Sequence, residues 1–271
     1  MKTNPPNHPK FMRLVGSFSL VALSVFGLLW LVSCTVADRL IFMPPPASYP
    51  RDAPGLIQLR TPRGEAIAAF HFKAAAGMPT ALYSHGNAED IGQSDQLYQA
   101  LRARGWGVLA YDYPGYGQST GEPDERGCEQ AIETAWLHLT GAEGVAPEDI
   151  VIMGRSVGSG PSVWLAARRS CRALVLISPF TSTFAVMPPA HRVVPGDRFP
   201  NLRRIKGITT PLLVIHGEND SVIPLHHGRQ LHDASPASHK QFVTFPGTDH
   251  NDLYATRLGE VIAALDDFAG H

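Results

Sequence analysis

Residues 55–271 alternate short apolar runs with longer stretches of helical periodicity, and few folds accommodate that pattern. The run TALYS at 80–84 has the length and composition of a buried strand, and residues 129–141 carry apolar side chains at helical spacing. Two alternating segments, 56–60 and 65–72, predict a β-hairpin. Strands that alternate with helices of about ten to fifteen residues are typical of a mostly parallel sheet with helices on both faces. The sequence therefore predicts a doubly wound α/β fold, with its functional site at the carboxyl ends of the strands.

Composition excludes several classes of function. The chain of 271 residues suits one large α/β domain, for which we expect a monomer, and 44% of its residues are hydrophobic. Its formal net charge is −1, and it has no basic patch interleaved with aromatic residues, so nucleic acid is excluded as a partner. Three cysteines and the absence of CxxC and HExxH motifs predict no disulfide scaffold, no metal site and no cofactor.

The N-terminus contains a long uncharged segment. Residues 14–33, LVGSFSLVALSVFGLLWLVS, have no charged side chain, and about 20 such residues can cross a bilayer. The preceding segment, 1–13, contains Lys2, Lys10 and Arg13, and positive charge of this kind stays in the cytoplasm. The sequence therefore predicts a membrane-anchored protein whose remaining residues lie on the extracytoplasmic, periplasmic side.

Two forms of anchor fit this segment. The sequence Leu31-Val32-Ser33-Cys34 resembles a bacterial lipobox, which predicts lipidation of Cys34. The alternative is a signal-anchor helix with an incidental cysteine, and a buried core helix is a third interpretation. The proline-rich residues 34–54 are predicted to be a linker between the anchor and the folded domain.

The heptapeptide GRSVGSG, residues 154–160, directly follows the predicted strand DIVIMG and precedes a helix. A serine between small residues in a strand-to-helix turn is typical of a nucleophile elbow, which presents the hydroxyl above the sheet. Ser156 is therefore the candidate nucleophile. A glycine-rich phosphate-binding loop is disfavoured because no Gly-Lys-Ser/Thr sequence follows.

A serine nucleophile needs a base and an acid that orients the base. In chain order the acid and then the histidine follow the serine in this type of fold. The loop after the strand LLVIHG contains Glu218 and Asp220, and the loop after KQFVTF contains His250. Both loops lie at carboxyl ends of predicted strands, which favours a Ser–acid–His site. His216 precedes a glycine at a strand end and is interpreted as a loop-ordering residue.

Two backbone N–H groups are candidates for an oxyanion hole. The first belongs to Val157, the residue after the nucleophile, and the second to Asn87, in the loop after an earlier strand. Phe180, Phe184 and Met187 form an apolar face in a short segment where a cap would lie, so they are candidate substrate-binding residues.

Several longer stretches carry a family resemblance. The chain resembles α/β-hydrolases of the Bem-type group, and especially the α/β-hydrolase-domain protein depalmitoylases. The stretches are RLIFMPPPASY, SHGNAEDIGQ, YDYPGYGQSTGEP, GRSVGSGPSVWLAAR, FPNLRRIKGITTPLLVIHG and HND, in this order from Arg39 onward. The resemblance implies that Asp220, in the sequence Asp220-x-x-Ile223-Pro224, is the acid of the triad, and that the YDYPGYGQST loop has a structural role.

Taken together, these patterns predict a membrane-tethered serine hydrolase that cleaves a carboxylic ester or thioester. The expected substrate is a small acyl ester or thioester, or a lipidated molecule. Two alternatives remain: a serine peptidase of related fold, and a binding protein that uses an α/β-hydrolase fold without catalysis.

Overall fold

The structure is a computed structural model that describes residues 8–187 and 196–269, without the side chains of residues 8–18, 32–36 and 40. Its centre is one eight-stranded sheet in the order β1-β2-β4-β3-β5-β6-β7-β8. The strands are β1 (Leu56–Arg60), β2 (Ala66–Phe72), β3 (Thr80–Ser84), β4 (Gly107–Tyr111), β5 (Ile150–Arg155), β6 (Ala173–Ile177), β7 (Leu212–Gly217) and β8 (Lys240–Phe245).

The sheet is mostly parallel, as predicted. Strands β1 and β2 form the expected antiparallel hairpin, and β2 also runs antiparallel to β4. From β4 to β8 all neighbouring strands are parallel. The central strands are buried along their whole length, which explains their continuous apolar sequences. The predicted α/β fold with a mostly parallel sheet is therefore confirmed.

Helices cover both faces of the sheet and divide the core into two layers. The helices are α1 (His8–Ile41), α2 (Asp95–Ala103), α3 (Glu125–Leu137), α4 (Ser159–Ala166), α5 (Thr183–Val186), α6 (Asn201–Arg204), α7 (His226–Ala234) and α8 (Leu253–Ala269). Helices α2 and α8 pack on one face, and α3, α4 and α7 pack on the other. The two cysteines in these layers, Cys128 and Cys171, are free thiols.

The segment after the apolar run is packed against the domain, contrary to the prediction of a linker. Ala37, Ile41 and Phe42 are 2%, 4% and 4% exposed and belong to the core layer under α3 and α4. Asp38 pairs with Arg198 at 2.9 Å. Ala37 and Ile41 belong to the end of α1, and the prolines of this region begin only at Pro44, so proline content did not indicate whether the residues before it pack on the core.

Helix α1 contains the whole predicted anchor, residues 14–33, and the apolar side chains described within that segment face solvent. Residues 14–18 and 32–36, including Cys34, lie outside the described side chains, so the lipidation of Cys34 stays a prediction. Within the part of the chain that the structure describes, no helix combines the length and the apolar character needed to cross a membrane. More than half of each of the following side chains is exposed: Leu20, Val21, Leu23, Val25, Phe26, Leu28, Leu29, Trp30 and Leu31.

Two truncations should separate the exposed part of α1 from its packed end. Removing residues 1–36 should leave the free energy of unfolding close to that of the full chain, because the removed side chains that the structure describes are exposed. Removing residues 1–47 also deletes Ile41 and Phe42 from the core, which should cost about 5 kcal/mol or more. Urea denaturation of both proteins in the same buffer measures the difference. Equal stability of the two would contradict the packing of residues 37–47.

Candidate active site

Ser156 lies at the turn between β5 and α4, in the conformation of a nucleophile elbow. Its φ angle of 53° lies in the left-handed region, which is strained for a residue other than glycine. A short 3₁₀ turn, Ser156–Gly158, leads into α4. A Cβ atom at Gly154 would collide with the Gly158 carbonyl, and one at Gly158 would collide with the Ser84 carbonyl. The small residues of the motif therefore permit the close backbone contact that holds this strained turn.

The three predicted catalytic side chains lie together at the carboxyl ends of β5, β7 and β8. His250 Nε2 is 3.1 Å from Ser156 Oγ, and His250 Nδ1 is 2.8 Å from Asp220 Oδ2. All three residues are at least 93% buried. Both distances are those of hydrogen bonds, so one imidazole can connect the hydroxyl to the carboxylate.

Asp220 is held as a carboxylate by several donors. Its Oδ1 accepts the N–H groups of Val222 and Ile223 at 3.0 and 2.6 Å, and His216 Nε2 lies 3.3 Å from its Oδ2. Burial alone would raise the pKa of Asp220, but the hydrogen bonds from His216, His250 and Ile223 outweigh burial and hold this pKa well below its ordinary value. The stability that this shift contributes is present above about pH 4 and is lost only as the pH falls further.

The structure distinguishes Asp220 from its neighbour Glu218. Glu218 is exposed and accepts a hydrogen bond from Thr244 Oγ1 at 2.8 Å, away from the imidazole. Asp249, beside the histidine, accepts the Ser221 N–H and hydroxyl at 2.7 and 2.9 Å. Asp249 therefore ties the loop of the acid to the loop of His250.

The two predicted oxyanion residues, Asn87 and Val157, both line a pocket that includes Ser156. The side chain of Asn87 is fixed by three hydrogen bonds: its Nδ2 donates to the Ile41 carbonyl, and its Oδ1 accepts from Met43 N and Tyr116 Oη. Tyr116 belongs to the YDYPGYGQST loop, so this loop helps to fix the side chain of Asn87. The segment after the apolar run thus holds the candidate oxyanion loop in place.

The pocket has a volume of about 400 Å³ and is mainly apolar. Phe180 and Met187 are in its wall, as predicted. Phe184 is not; it is 4% exposed and packs in the core behind the wall. The other lining residues are Ile41, Met43, Ala88, Glu89, Thr183, Val186, Val222, Ile223, His250 and Asn251. Residues 188–195, the middle of the predicted cap, lie outside the described residues.

Comparison with known proteins assigns the family. A family model described as "Serine aminopeptidase, S33" matches residues 79–203. The α/β-hydrolase domain-containing protein 17B of Homo sapiens is 37% identical over 225 residues, covering 80% of this chain and 78% of that protein. The 17C protein of Mus musculus is 36% identical over 220 residues, covering 78% and 68%. The chain therefore belongs to the family of the α/β-hydrolase domain-containing proteins 17.

Solved structures agree with the fold of the family. The esterase Pf2001 of Pyrococcus furiosus superposes with a TM-score of 0.67 at 16% identity, covering 84% of this chain and 96% of that one. The α/β-hydrolase domain-containing protein 10 of mouse gives a TM-score of 0.63 at 17% identity, covering 78% and 97%.

Arg155 is a residue of this α/β-hydrolase whose role the sequence did not reveal. It immediately precedes the nucleophile, is 7% exposed, and forms an ion pair with Glu89 of the candidate oxyanion loop. Its other guanidinium nitrogen donates to the His250 carbonyl at 3.0 Å, and its charge lies 5.4 Å from the Tyr254 ring centre. One guanidinium therefore connects the elbow, the oxyanion loop and the histidine loop. Its only signal in the sequence is its position beside the serine.

Replacing Arg155 with glutamine should lower the rate at which Ser156 reacts with a fluorophosphonate by roughly 10²-fold. The amide cannot bridge both loops, so the imidazole and the oxyanion donors lose their common support. The rate of labelling is measured on folded protein selected by gel filtration, with Arg104→Gln as the control because Arg104 is exposed and pairs with Asp266 on α8. Wild-type labelling kinetics in folded Arg155→Gln would show that Arg155 does not position the site.

Proposed function

We propose that this α/β-hydrolase is a serine hydrolase that cleaves a carboxylic ester or thioester through an acyl-enzyme intermediate. The observation that carries the proposal is the continuous hydrogen-bond chain from Ser156 through His250 to Asp220, with distances of 3.1 and 2.8 Å. Nucleophile, base and orienting acid each have the partner that their role requires.

The proposed reaction has two halves. His250 Nε2 takes the proton of Ser156 Oγ as the oxygen attacks the acyl carbon, and the N–H groups of Asn87 and Val157 stabilise the negative oxygen. His250 then gives this proton to the leaving alcohol or thiol, and the acyl group remains on Ser156. His250 takes a proton from a water molecule as the water oxygen attacks the acyl carbon, and it returns that proton to Ser156 Oγ as the carboxylic acid is released. Asp220 keeps the Nδ1 proton of the imidazole in place throughout.

The pocket favours an acyl substrate over a peptide. Its wall next to Ser156 consists largely of aliphatic and aromatic side chains, which suit a hydrocarbon chain. An aminopeptidase, which the description of the family model suggests, must bind the positive amine of its substrate. Glu89 is the only acidic residue among the described lining residues, and it already pairs with Arg155. A peptide substrate would therefore leave its amine without a counter-charge.

An acyl panel tests the proposal directly. Purified enzyme is assayed on p-nitrophenyl esters, acyl thioesters and aminoacyl amides of matched chain length, and trapped protein is digested for mass spectrometry. We expect turnover of esters and thioesters and an acyl adduct on the peptide containing Ser156. Turnover of the amides alone would favour the peptidase, and no turnover or adduct with any substrate would favour a binding protein.

We also propose that α1 attaches the enzyme to a membrane, with the hydrolase domain on the extracytoplasmic side. The support is the uncharged sequence of residues 14–33, the basic segment before it and the row of exposed apolar side chains from Leu20 to Leu31. The pocket wall includes Ile41 and Met43, at and just beyond the end of this helix, so an acyl chain in the bilayer would lie close to the pocket.

Two experiments test this topology. Membranes are extracted with alkaline carbonate, and intact spheroplasts are treated with protease. We expect the protein to stay with the membrane pellet and to be degraded by external protease. A change of mass that disappears in Cys34→Ala would identify the lipoprotein form. Release by carbonate or protection from protease would contradict the proposal.

A further inference from the structure

A cluster of two histidines and one glutamate lies at the opposite edge of the sheet from Ser156. His71 is the last residue but one of β2 and pairs with Leu109, and Phe72 after it pairs with Val108, so β2 ends beside the amino end of the parallel strand β4. His138 and Glu143 follow α3, where the chain turns back toward β5. One potential ligand atom from each of the three residues lies within 4.8 Å of the other two, and this is the sole such group among the residues that the structure describes.

The geometry is close to that of a three-ligand metal site. Glu143 Oε1 is 3.9 Å from His71 Nδ1 and 3.7 Å from His138 Nε2. In a tetrahedral zinc site with bonds of about 2.0–2.1 Å, ligand atoms are about 3.3 Å apart. Each pair of ligand atoms therefore needs to approach by about 0.4 Å to at most about 1.5 Å to bind one ion.

The two imidazoles meet in this cluster, and one of their candidate ligand atoms has no hydrogen-bond partner among the described residues. His138 Nε2 is buried and has no hydrogen-bond partner among the described residues, and such atoms call for an explanation. The side chain of His71 is 8% exposed, and its ring meets that of His138 nearly edge-on, with centres 5.4 Å apart. Burial lowers the pKa of His71, which favours the neutral ring that a metal requires.

The local backbone and a neighbouring charge orient the glutamate. A wide π-type turn at residues 138–142 closes with a hydrogen bond from Glu143 N to the His138 carbonyl at 3.0 Å, and such turns recur at functional sites. Lys73 Nζ holds Glu143 Oε2 at 2.9 Å, so Oε1, the atom nearer both imidazoles, is left for an ion. Lys73 is thus in the position of an outer partner that orients a ligating carboxylate.

We propose that His71, His138 and Glu143 bind a divalent transition metal ion, with Zn²⁺ as the best match, through two imidazole nitrogens and one carboxylate oxygen. Water completes the tetrahedron, because His138 and Glu143 are each about one-fifth exposed. The ion joins β2 to the turn after α3. Its distance from the catalytic edge makes it a stabilising ion and not part of the hydrolytic chemistry.

The test uses the full chain in detergent, purified with a histidine-free tag and stripped with chelator. Co²⁺ is added to detect tetrahedral visible absorption bands, and Zn²⁺ affinity is measured by competition with a chromogenic chelator. We expect one ion per chain and a higher Tm with Zn²⁺. His71→Asn, His138→Asn and Glu143→Gln should each weaken Zn²⁺ binding by about 100-fold or more. His232→Asn, which removes a histidine beside Asp233 on α7, should bind as the wild type does.

Two further measurements keep the result independent of folding defects in the variants. X-ray absorption of the wild-type Zn²⁺ protein should show two imidazoles and oxygen ligands near 2.0 Å, without sulfur. His250→Gln should retain the ion. Loss of binding in His250→Gln with retention in the three cluster variants would place the metal at the triad and overturn the proposal. So would sulfur ligation, or no binding of either metal by the wild type.

Discussion

Ser156→Ala should lower kcat on a short ester by about 10⁴–10⁶-fold and abolish labelling by a fluorophosphonate, while the Tm stays close to that of the wild type. The proposed intermediate is a covalent bond to Ser156 Oγ, and no other hydroxyl among the described residues is within hydrogen-bond distance of His250 Nε2. Alanine keeps the packing of the elbow and removes only this oxygen. Residual turnover would come from the oxyanion hole and substrate binding.

The measurement is steady-state kinetics together with intact-protein mass spectrometry after labelling. Ser238→Ala is the matched control, because Ser238 is an exposed serine in the connection before β8. Labelling and activity of the control should equal those of the wild type. If the Ser156→Ala protein is labelled at a wild-type rate, Ser156 is not the nucleophile and the proposed mechanism is wrong.

Asp220→Asn should lower kcat by about 10⁴-fold, the second-largest effect that we expect. The carboxylate accepts the proton on His250 Nδ1 at 2.8 Å, whereas an asparagine amide in its place can donate to Nδ1. The imidazole would then carry its proton on Nε2, facing Ser156, and could not act as the base. The fold should survive, since the amide oxygen can still accept the Val222 and Ile223 N–H groups.

Glu218→Gln is the control for this substitution. It makes the same chemical change two residues earlier, at an exposed side chain that contacts Thr244. Its kcat should remain within a few-fold of the wild type, and pre-steady-state measurements should show normal acylation. A larger loss in Glu218→Gln than in Asp220→Asn would show that the acid of the site is Glu218.

Much of the site could be predicted from the sequence because its parts are local. Gly154, Ser156 and Gly158 lie within five residues, and their small side chains directly reflect the backbone contacts of the elbow. The loops that contain Asp220 and His250 each follow a recognisable strand, and parallel strands bring their carboxyl ends to one edge of the sheet. The positions of all three residues follow from these two regularities.

The sequence was less informative wherever a contact joins distant segments. Proline content predicted a free linker, but Ile41 and Phe42 of that region are buried in the core. Apolar character placed Phe184 in the pocket, but the turn of α5 directs it into the core while Met187 reaches the wall. Apolar residues in a short segment can face either way, and the sequence does not record which neighbours cover them.

The sequence by itself determined the α/β architecture, the place of Ser156 in a turn between a strand and a helix, and the loops in which Asp220 and His250 lie. Periodicity and small-residue spacing are properties of neighbouring residues, so the sequence alone reveals them. Only the tertiary structure decided that Ile41 and Phe42 reach the core, that Arg155 joins three loops, and that His71 lies beside His138. Those contacts depend on strand register and on how helices pack across the sheet. Both arise from long-range burial of the core, which no local pattern specifies.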